Sequence, residues 1–242
     1  MSRQRRRPRR TQEIAFLERY APPLAGPYLE VGSKDYGRAP DLRARFASGC
    51  VYVGVDAEAG PGVDVVLDLT AKFDIVDSAL AHRRFGTIFC FSTLEHCEQP
   101  FRMAENLTRL LRPDGHLVLS VPFSYAFHAY PSDYWRFTPE GVRKLFPKLD
   151  FDPNRGAAQM STSEPFHPLD AEVGRIRFDF SVYWRRGQLL RALSAKLFRL
   201  LASLGIWRWL TGYRYVLAPT CIFMVGRQTA GQTTERTDAD GQ

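Results

Sequence analysis

Two short apolar runs near the start of the chain constrain its fold more than any other feature. Tyr28-Leu29-Glu30-Val31 is halted by Gly32, and Val51 to Asp56 ends on a carboxylate 24 residues beyond that glycine. Runs this short, rich in β-branched residues and bounded by turn formers, suit buried strands. The alternation then continues. Val63 to Leu67 reads as a third strand, and residues 71–81 carry Phe73, Ile75, Val76, Ala79 and Leu80 at roughly helical spacing. Thr87 to Phe91 reads as a fourth strand. Pro100 opens a helix with Phe101, Ala104, Leu107, Leu110 and Leu111 on its apolar face. Pro113-Asp114-Gly115 is a turn signal before a fifth strand, His116 to Val121. Short helices are expected before Pro22-Pro23, over 40–47, and after Thr138, with Thr138 as cap and Pro139 in the first turn. Residues 150–184 show no clear period, and 219–225 read as a last strand. Strands alternating with helices predict an α/β fold: a mainly parallel, seven-stranded, Rossmann-like sheet with helices on both faces.

Ligands of such sheets lie outside the carboxyl ends of the strands. That rule selects Glu30–Gly37, Asp56, Asp68–Leu69, Ser92–Glu98 and Pro122–Arg136. A carboxylate placed as Asp56 is can accept hydrogen bonds from both ribose hydroxyls, in a dinucleotide or in S-adenosylmethionine. The turn discriminates between them. A dinucleotide wants G-x-G-x-x-G, whose amides meet a pyrophosphate. Here the turn reads Gly32-Ser33-Lys34-Asp35-Tyr36-Gly37, with two glycines at the wrong spacing and an acid where phosphate would lie. S-adenosylmethionine has no phosphate, and Asp35 and Glu30 suit its ammonium and sulfonium charges. An NAD(P)-dependent oxidoreductase is the rival enzyme class, and a non-catalytic S-adenosyl-binding or scaffold protein is the rival outside catalysis.

The motifs, taken in order, resemble those of class I S-adenosylmethionine-dependent methyltransferases, in particular the methyltransferase type 11 group. Tyr28 to Ser33 resembles the first motif, Tyr52-Val53-Gly54-Val55-Asp56 the second and Val65-Val66-Leu67-Asp68-Leu69 the third. Phe91 to His96 resembles the fourth, and Leu110 to Leu117 the helix, turn and strand that follow. The resemblance spans about residues 26–147. It implies cofactor contacts at Glu30, Gly32, Ser33, Asp56, Asp68, Leu69 and Ser92, with the Asp68 carboxylate towards the adenine amino group. The chain departs from the pattern at Lys34, where the family has a second glycine.

The acceptor is expected beyond the fifth strand, where His128, Tyr130, Asp133, Tyr134, Trp135 and Arg136 fall within nine residues. Methyl transfer to oxygen or nitrogen needs a positioned nucleophile and removal of its proton. His128 is the first expected base and Asp133 the second, with Asp133 otherwise orienting His128 or an acceptor hydroxyl; Asp133 and Arg136 pairing merely to pin the loop is the structural alternative. His96 is a rival base. No metal ligand is expected: Cys50, Cys90, Cys97 and Cys221 have neither zinc nor disulfide spacing, and the neighbours His96 and Cys97 rarely converge on one ion.

Charge is unevenly spread. The net +7 combines six arginines in the first ten residues and a net +8 over 175–214 with a mildly acidic body. The expected organisation is a basic disordered tail at 1–11 and a methyltransferase domain at 12–227. Within that domain, 26–147 form the cofactor half and 148–227 the substrate-side and C-terminal elements. A polar tail follows at 228–242. Residues 185–210 set Leu189, Leu190, Leu193, Leu197, Leu200, Leu201 and Leu204 beside Arg185, Arg186, Arg191, Lys196, Arg199 and Arg208. That pattern fits a membrane-surface helix or a core-packed helix with a basic outer face. The expected setting is cytoplasmic, with peripheral contact at the inner membrane face. The expected partner is a small-molecule or glycan-type acceptor, free or lipid-linked, and no specific nucleic acid.

Overall fold

The computed structural model describes residues 10–36, 42–128, 132–159, 166–169, 180–185, 187–205 and 219–229. Helix α1 (Arg10–Tyr20) opens the described chain, two residues inside the expected basic tail. Then follow β1 (Tyr28–Val31), α2 (Leu42–Phe46), β2 (Tyr52–Asp56), β3 (Val65–Val66), α3 (Phe73–Ala79) and β4 (Phe85–Phe91). A 3-10 turn at Leu94–His96 precedes α4 (Pro100–Leu110), β5 (Leu111–Pro122) and α5 (Pro139–Leu145). The chain ends in β6 (Leu149–Phe151), β7 (Ala157–Gln159), β8 (His167–Pro168), α6 (Phe180–Arg185), α7 (Leu189–Ser203) and β9 (Cys221–Gln228).

These strands form one sheet in the order β3-β2-β1-β4-β5-β9-β7-β8, with β6 also on β9. The pairs from β3 to β5 are parallel and β9 is antiparallel to β5. The fold class is therefore as expected, with nine strands among the described residues. One reason for that number lies at Asp152-Pro153. The Asp152 carboxylate caps a 3-10 turn at Pro153–Arg155, which interrupts the strand position beside β9. Two pieces result: β6 pairs with 226–228 and β7 with 221–223.

Each face of the sheet has its own core, because side chains alternate along a strand. Leu29 and Val31 face α4 and α5, among Leu107, Leu110, Leu119 and Phe146. Tyr28 faces the other way, towards Phe16 and Leu17 of α1 and the Phe46 and Phe89 rings. Phe101 does not join the inner face of α4. It is exposed, and Met103 packs inward with Ala104, Leu107 and Leu110. Thr138 caps α5 as expected, its hydroxyl accepting from the Gly141 N–H at 3.0 Å.

Register aligns the strand ends that matter. Val31 lies level with Val55 and with Cys90, and Phe91 with Ser120. The loops starting at Gly32, Asp56 and Ser92 therefore open from one edge.

Helix α7 buries Ala192 and Ala195 and contacts α6, with Lys196 Nζ 5.6 Å from the Phe180 ring centroid. Its leucines lie elsewhere on the helix. Leu189, Leu190, Leu193, Leu197 and Leu200 are all more than half exposed, Leu190 at 85%. Core packing of this stripe is thus not what the structure shows. Arg186, Trp207, Arg208 and Trp209 of the expected 185–210 segment lie outside the described residues. No helix among the described residues is long and apolar enough to cross a membrane.

Candidate active site

The loop after β1 is held by the end of β2. The N–H groups of Gly32 and Ser33 both donate to the Val55 carbonyl, at 2.9 and 3.1 Å. Gly32 has φ +71°, and the space where its side chain would lie belongs to Thr93. A Cβ there would stand 2.4 Å from Thr93 Oγ1. Thr93 donates to the carbonyls of Val31 (3.2 Å) and Phe91 (3.0 Å), joining the ends of β1 and β4. The glycine serves a turn and a close protein contact.

Asp56 is half-buried. Its Oδ1 accepts the Glu58 N–H at 3.0 Å and its Oδ2 the Lys34 N–H at 3.3 Å. A carboxylate offers about four lone-pair sites, so one direction on each oxygen remains for a ribose diol. Lys34 lies along Gly60 and pairs with Glu58 Oε2 at 2.6 Å. That hydrogen bond raises the Lys34 pKa. The pairing offsets a cation in a loop expected to receive a cationic cofactor. Lys34 and Glu58 were not anticipated as contributors. The only signal was Lys34 standing where the motif has glycine.

The other expected cofactor residues differ in what they offer. Asp68 Oδ1 accepts from the Thr70 N–H (2.8 Å) and hydroxyl (2.7 Å) at an exposed turn. The Leu69 side chain is buried, and its carbonyl accepts from Asn106 Nδ2 of α4 at 2.8 Å. The same amide reaches the Ala71 carbonyl at 2.9 Å, so Asn106 shapes the loop after β3. Ser92 adopts φ +49°; its N–H donates to the Ser120 carbonyl at 2.8 Å, and the two hydroxyls are 3.3 Å apart. Ser33 and Glu30 are turned inward. Ser33 Oγ is buried against Gly54, and Glu30 Oε2 accepts from the Tyr52 hydroxyl at 2.7 Å.

The expected acceptor-side residues do converge. The segment 132–136 docks on the 3-10 turn after β4: the Tyr134 N–H donates to the Glu95 carbonyl at 2.8 Å, and Trp135 Nε1 to the Cys97 carbonyl at 2.8 Å. His96 Nδ1 hydrogen-bonds the Ser132 carbonyl. The fully covered Asp133 carboxylate takes Arg136 in a fork, Nη1–Oδ1 2.5 Å and Nη2–Oδ2 2.7 Å. It also accepts the His128 backbone N–H at 2.9 Å, and His128 Nδ1 lies 3.2 Å from Oδ2. Arg136 first, then the His128 N–H, hold the Asp133 carboxyl well below the usual carboxylate range. Asp133 thus pins the loop and orients His128; an acid this strong accepts no proton near neutral pH. The His96 and His128 rings meet edge to face, with centroids 5.1 Å apart. Glu95, fully buried, has Oε1 3.9 Å from His96 Nε2. Glu95, His96 and His128 bring ligand atoms within 4.8 Å of one another, although no metal ligand was expected. Tyr130 lies outside the described residues. Burial pushes the Cys97 thiol up to about 11, so it carries no thiolate charge at neutral pH.

A family profile described as a methyltransferase domain matches residues 2–163. Among solved structures, an S-adenosylmethionine-dependent methyltransferase from Archaeoglobus fulgidus is similar at 16% identity and a TM-score of 0.52. That match covers 90% of this chain and 94% of the other. The 1,6-didemethyltoxoflavin-N1-methyltransferase of Burkholderia thailandensis, solved with S-adenosylhomocysteine, matches at 13% and 0.48, over 91% and 77%. A possible histamine N-methyltransferase from Thermotoga maritima matches at 13% and 0.45, over 90% and 89%. A search of curated proteins found no match.

Proposed function

Since the chain belongs to the methyltransferase-domain family, and is an S-adenosylmethionine-dependent enzyme of class I, we propose that it methylates an oxygen of a small-molecule or glycan-type acceptor, free or lipid-linked. Membership sets aside the oxidoreductase. The observation that carries the acceptor reading is the pair of imidazoles at the end of β4 and β5. A hydroxyl must lose its proton as it attacks, and we assign the promotion of that loss to His128, oriented by Asp133, with His96 beside it. S-adenosylmethionine supplies an electrophilic methyl carbon on sulfonium. Asp56 binds the ribose, Asp68 and the Leu69 turn border the adenine, and the loop Gly32–Lys34 lies along the methionine part with Ser92 opposite. The fit rests on the remaining lone-pair directions of Asp56 and on the paired charge at Lys34.

Calorimetry tests the cofactor half. S-adenosylmethionine or S-adenosylhomocysteine should bind at micromolar Kd, about −8 kcal/mol, and NAD should not. Turnover against a panel of hydroxylated metabolites, glycans and amines tests the acceptor. Methylation of amines alone would overturn the oxygen assignment.

The surface proposed for meeting a lipid-linked acceptor is α7. Its exposed leucines lie on one side, and Phe180 to Thr234 contains no Asp or Glu, against Arg185, Arg191, Lys196 and Arg199 on the described helices. A second copy of α7 would bring like charges together with no acid between them. An anionic lipid surface at the cytoplasmic face meets both features.

A further inference from the structure

The histidines at the end of β4 and β5 are held more firmly than a base needs. His96 gives Nδ1–H to the Ser132 carbonyl. His128 Nδ1 faces the Ala126 carbonyl at 3.1 Å and Asp133 Oδ2 at 3.2 Å. An imidazole that donates from Nδ1 presents a lone pair at Nε2. His96 Nε2 is 3.9 Å from Glu95 Oε1, and the ligand atoms of Glu95, His96 and His128 all lie within 4.8 Å. Two imidazoles and a carboxylate fully withdrawn from solvent therefore converge on one point. The neighbouring guanidinium, Arg136, is committed to Asp133.

We propose that Glu95, His96 and His128 bind one divalent transition-metal ion of the zinc type. Two histidines and a glutamate, with a further position left for water or substrate, are a catalytic zinc donor set. Such histidines almost always give their other ring N–H to a carbonyl or carboxylate, as Ser132, Ala126 and Asp133 provide here. Bonds of about 2.0–2.1 Å require the three atoms to close together by roughly 1 Å, a movement within side-chain torsions. Adjacent residues seldom chelate from a helix or strand. Glu95 and His96 can because they lie on the 3-10 turn, with the third donor arriving on the loop after β5.

The role of the ion rests on the methyl-transfer reading; the site itself does not. A cation here favours ionisation of an acceptor hydroxyl brought beside it. The hydroxyl proton passes to bulk water and the oxygen pair bonds the methyl carbon. The S–CH3 bond breaks with its pair returning to sulfur, leaving S-adenosylhomocysteine. The two Nε2 atoms then serve as ligands, and neither is the proton acceptor.

The test uses the untagged full chain, stripped with EDTA, dialysed and titrated with ZnCl2 by calorimetry and with CoCl2 by visible absorption. One ion per chain is expected, with micromolar or tighter affinity for zinc and cobalt bands of a low-coordinate site. His96→Ala and His128→Ala should each weaken zinc at least 10-fold, and Asp133→Asn about 10–100-fold. His82→Ala, at an exposed histidine on Asp77, should change nothing. Retained S-adenosylmethionine binding shows that each variant is folded. Stoichiometric binding unaltered in His96→Ala and His128→Ala, or no binding to the wild type, overturns the site. A stripped protein that still methylates at full rate overturns the role of the ion and leaves the methyltransferase reading intact. Absence of S-adenosylmethionine binding beside a normal zinc titration overturns the methyltransferase reading alone.

Discussion

Gly32→Ala separates two costs that are usually confounded. The first is backbone strain: a residue with a Cβ at φ +71° loses roughly 1 kcal/mol. The second is the collision of the new Cβ with Thr93 Oγ1, at 2.4 Å. Thr93 must swing away and give up its bond to the Val31 or Phe91 carbonyl, each worth about 1 kcal/mol net, and leave an acceptor less well satisfied. The total is about 3 kcal/mol. Gly49 supplies the control, because its φ is +73° but nothing lies within 4 Å of its added Cβ. Gly49→Ala should cost only the strain, about 1 kcal/mol. At about 3 °C per kcal/mol for a domain of this size, thermal unfolding should show shifts near 9 °C and 3 °C. Thr93→Ala should be less harmful in the Gly32→Ala background than alone, since the contact has already been broken. Equal shifts for the two glycine variants, or strict additivity with Thr93→Ala, would refute Thr93 as the reason for the glycine.

Asp56→Ala removes the charged acceptor of the ribose diol, about 1.5–3 kcal/mol. S-adenosylmethionine should bind 10–100-fold more weakly by calorimetry, and unchanged affinity would move the ribose contact elsewhere. Asp133→Asn tests the depressed carboxyl. A group whose folded pKa is lowered stabilises above its unfolded pKa, near 3.9, and less as pH falls through the carboxylate range. The wild type's advantage in urea unfolding should thus be constant from pH 5 to 7 and shrink below about pH 4; an advantage that grows with acidity would contradict the Arg136 pairing. The Leu193→Glu/Leu197→Glu pair should abolish co-sedimentation with anionic vesicles at low salt, as should about 0.5 M NaCl acting on the arginines. Deletion of residues 1–10 must be run alongside, and binding that depends on that tail alone would leave α7 without a lipid role.

The order of strands was legible because each carries its own boundary marker: Gly32 after β1, Asp56 ending β2, Pro122 ending β5. Edges were not. β6, β7 and β8 are two or three residues long, too short for a period; β6 and β7 depend on pairing with β9 some 60–80 residues away, and β8 on pairing with β7. The α4 helix shows the same limit at finer scale. Phe101 fits the apolar period, yet Met103 takes the inward position, because the period fixes a face only to within about one residue.

Candidate site positions at strand ends were legible for the same reason, whereas convergence across loops was not. Glu95 and His96 are neighbours in sequence, and adjacency alone argues against a shared ion. What changes the argument is a third chain segment. The 132–136 loop reaches back to accept and donate at 95–97, and in doing so it supplies the acceptor for His96 and, through Asp133, an orienting group for His128. Asp133 thereby links the two roles that sequence could only weigh against each other. Its fork with Arg136 pins the loop, and the pinned loop aims the imidazole. Removing Asp133 should consequently lower turnover through the position of His128, with little change in S-adenosylmethionine affinity. A loss of cofactor binding of the same size would place the segment in the cofactor pocket instead.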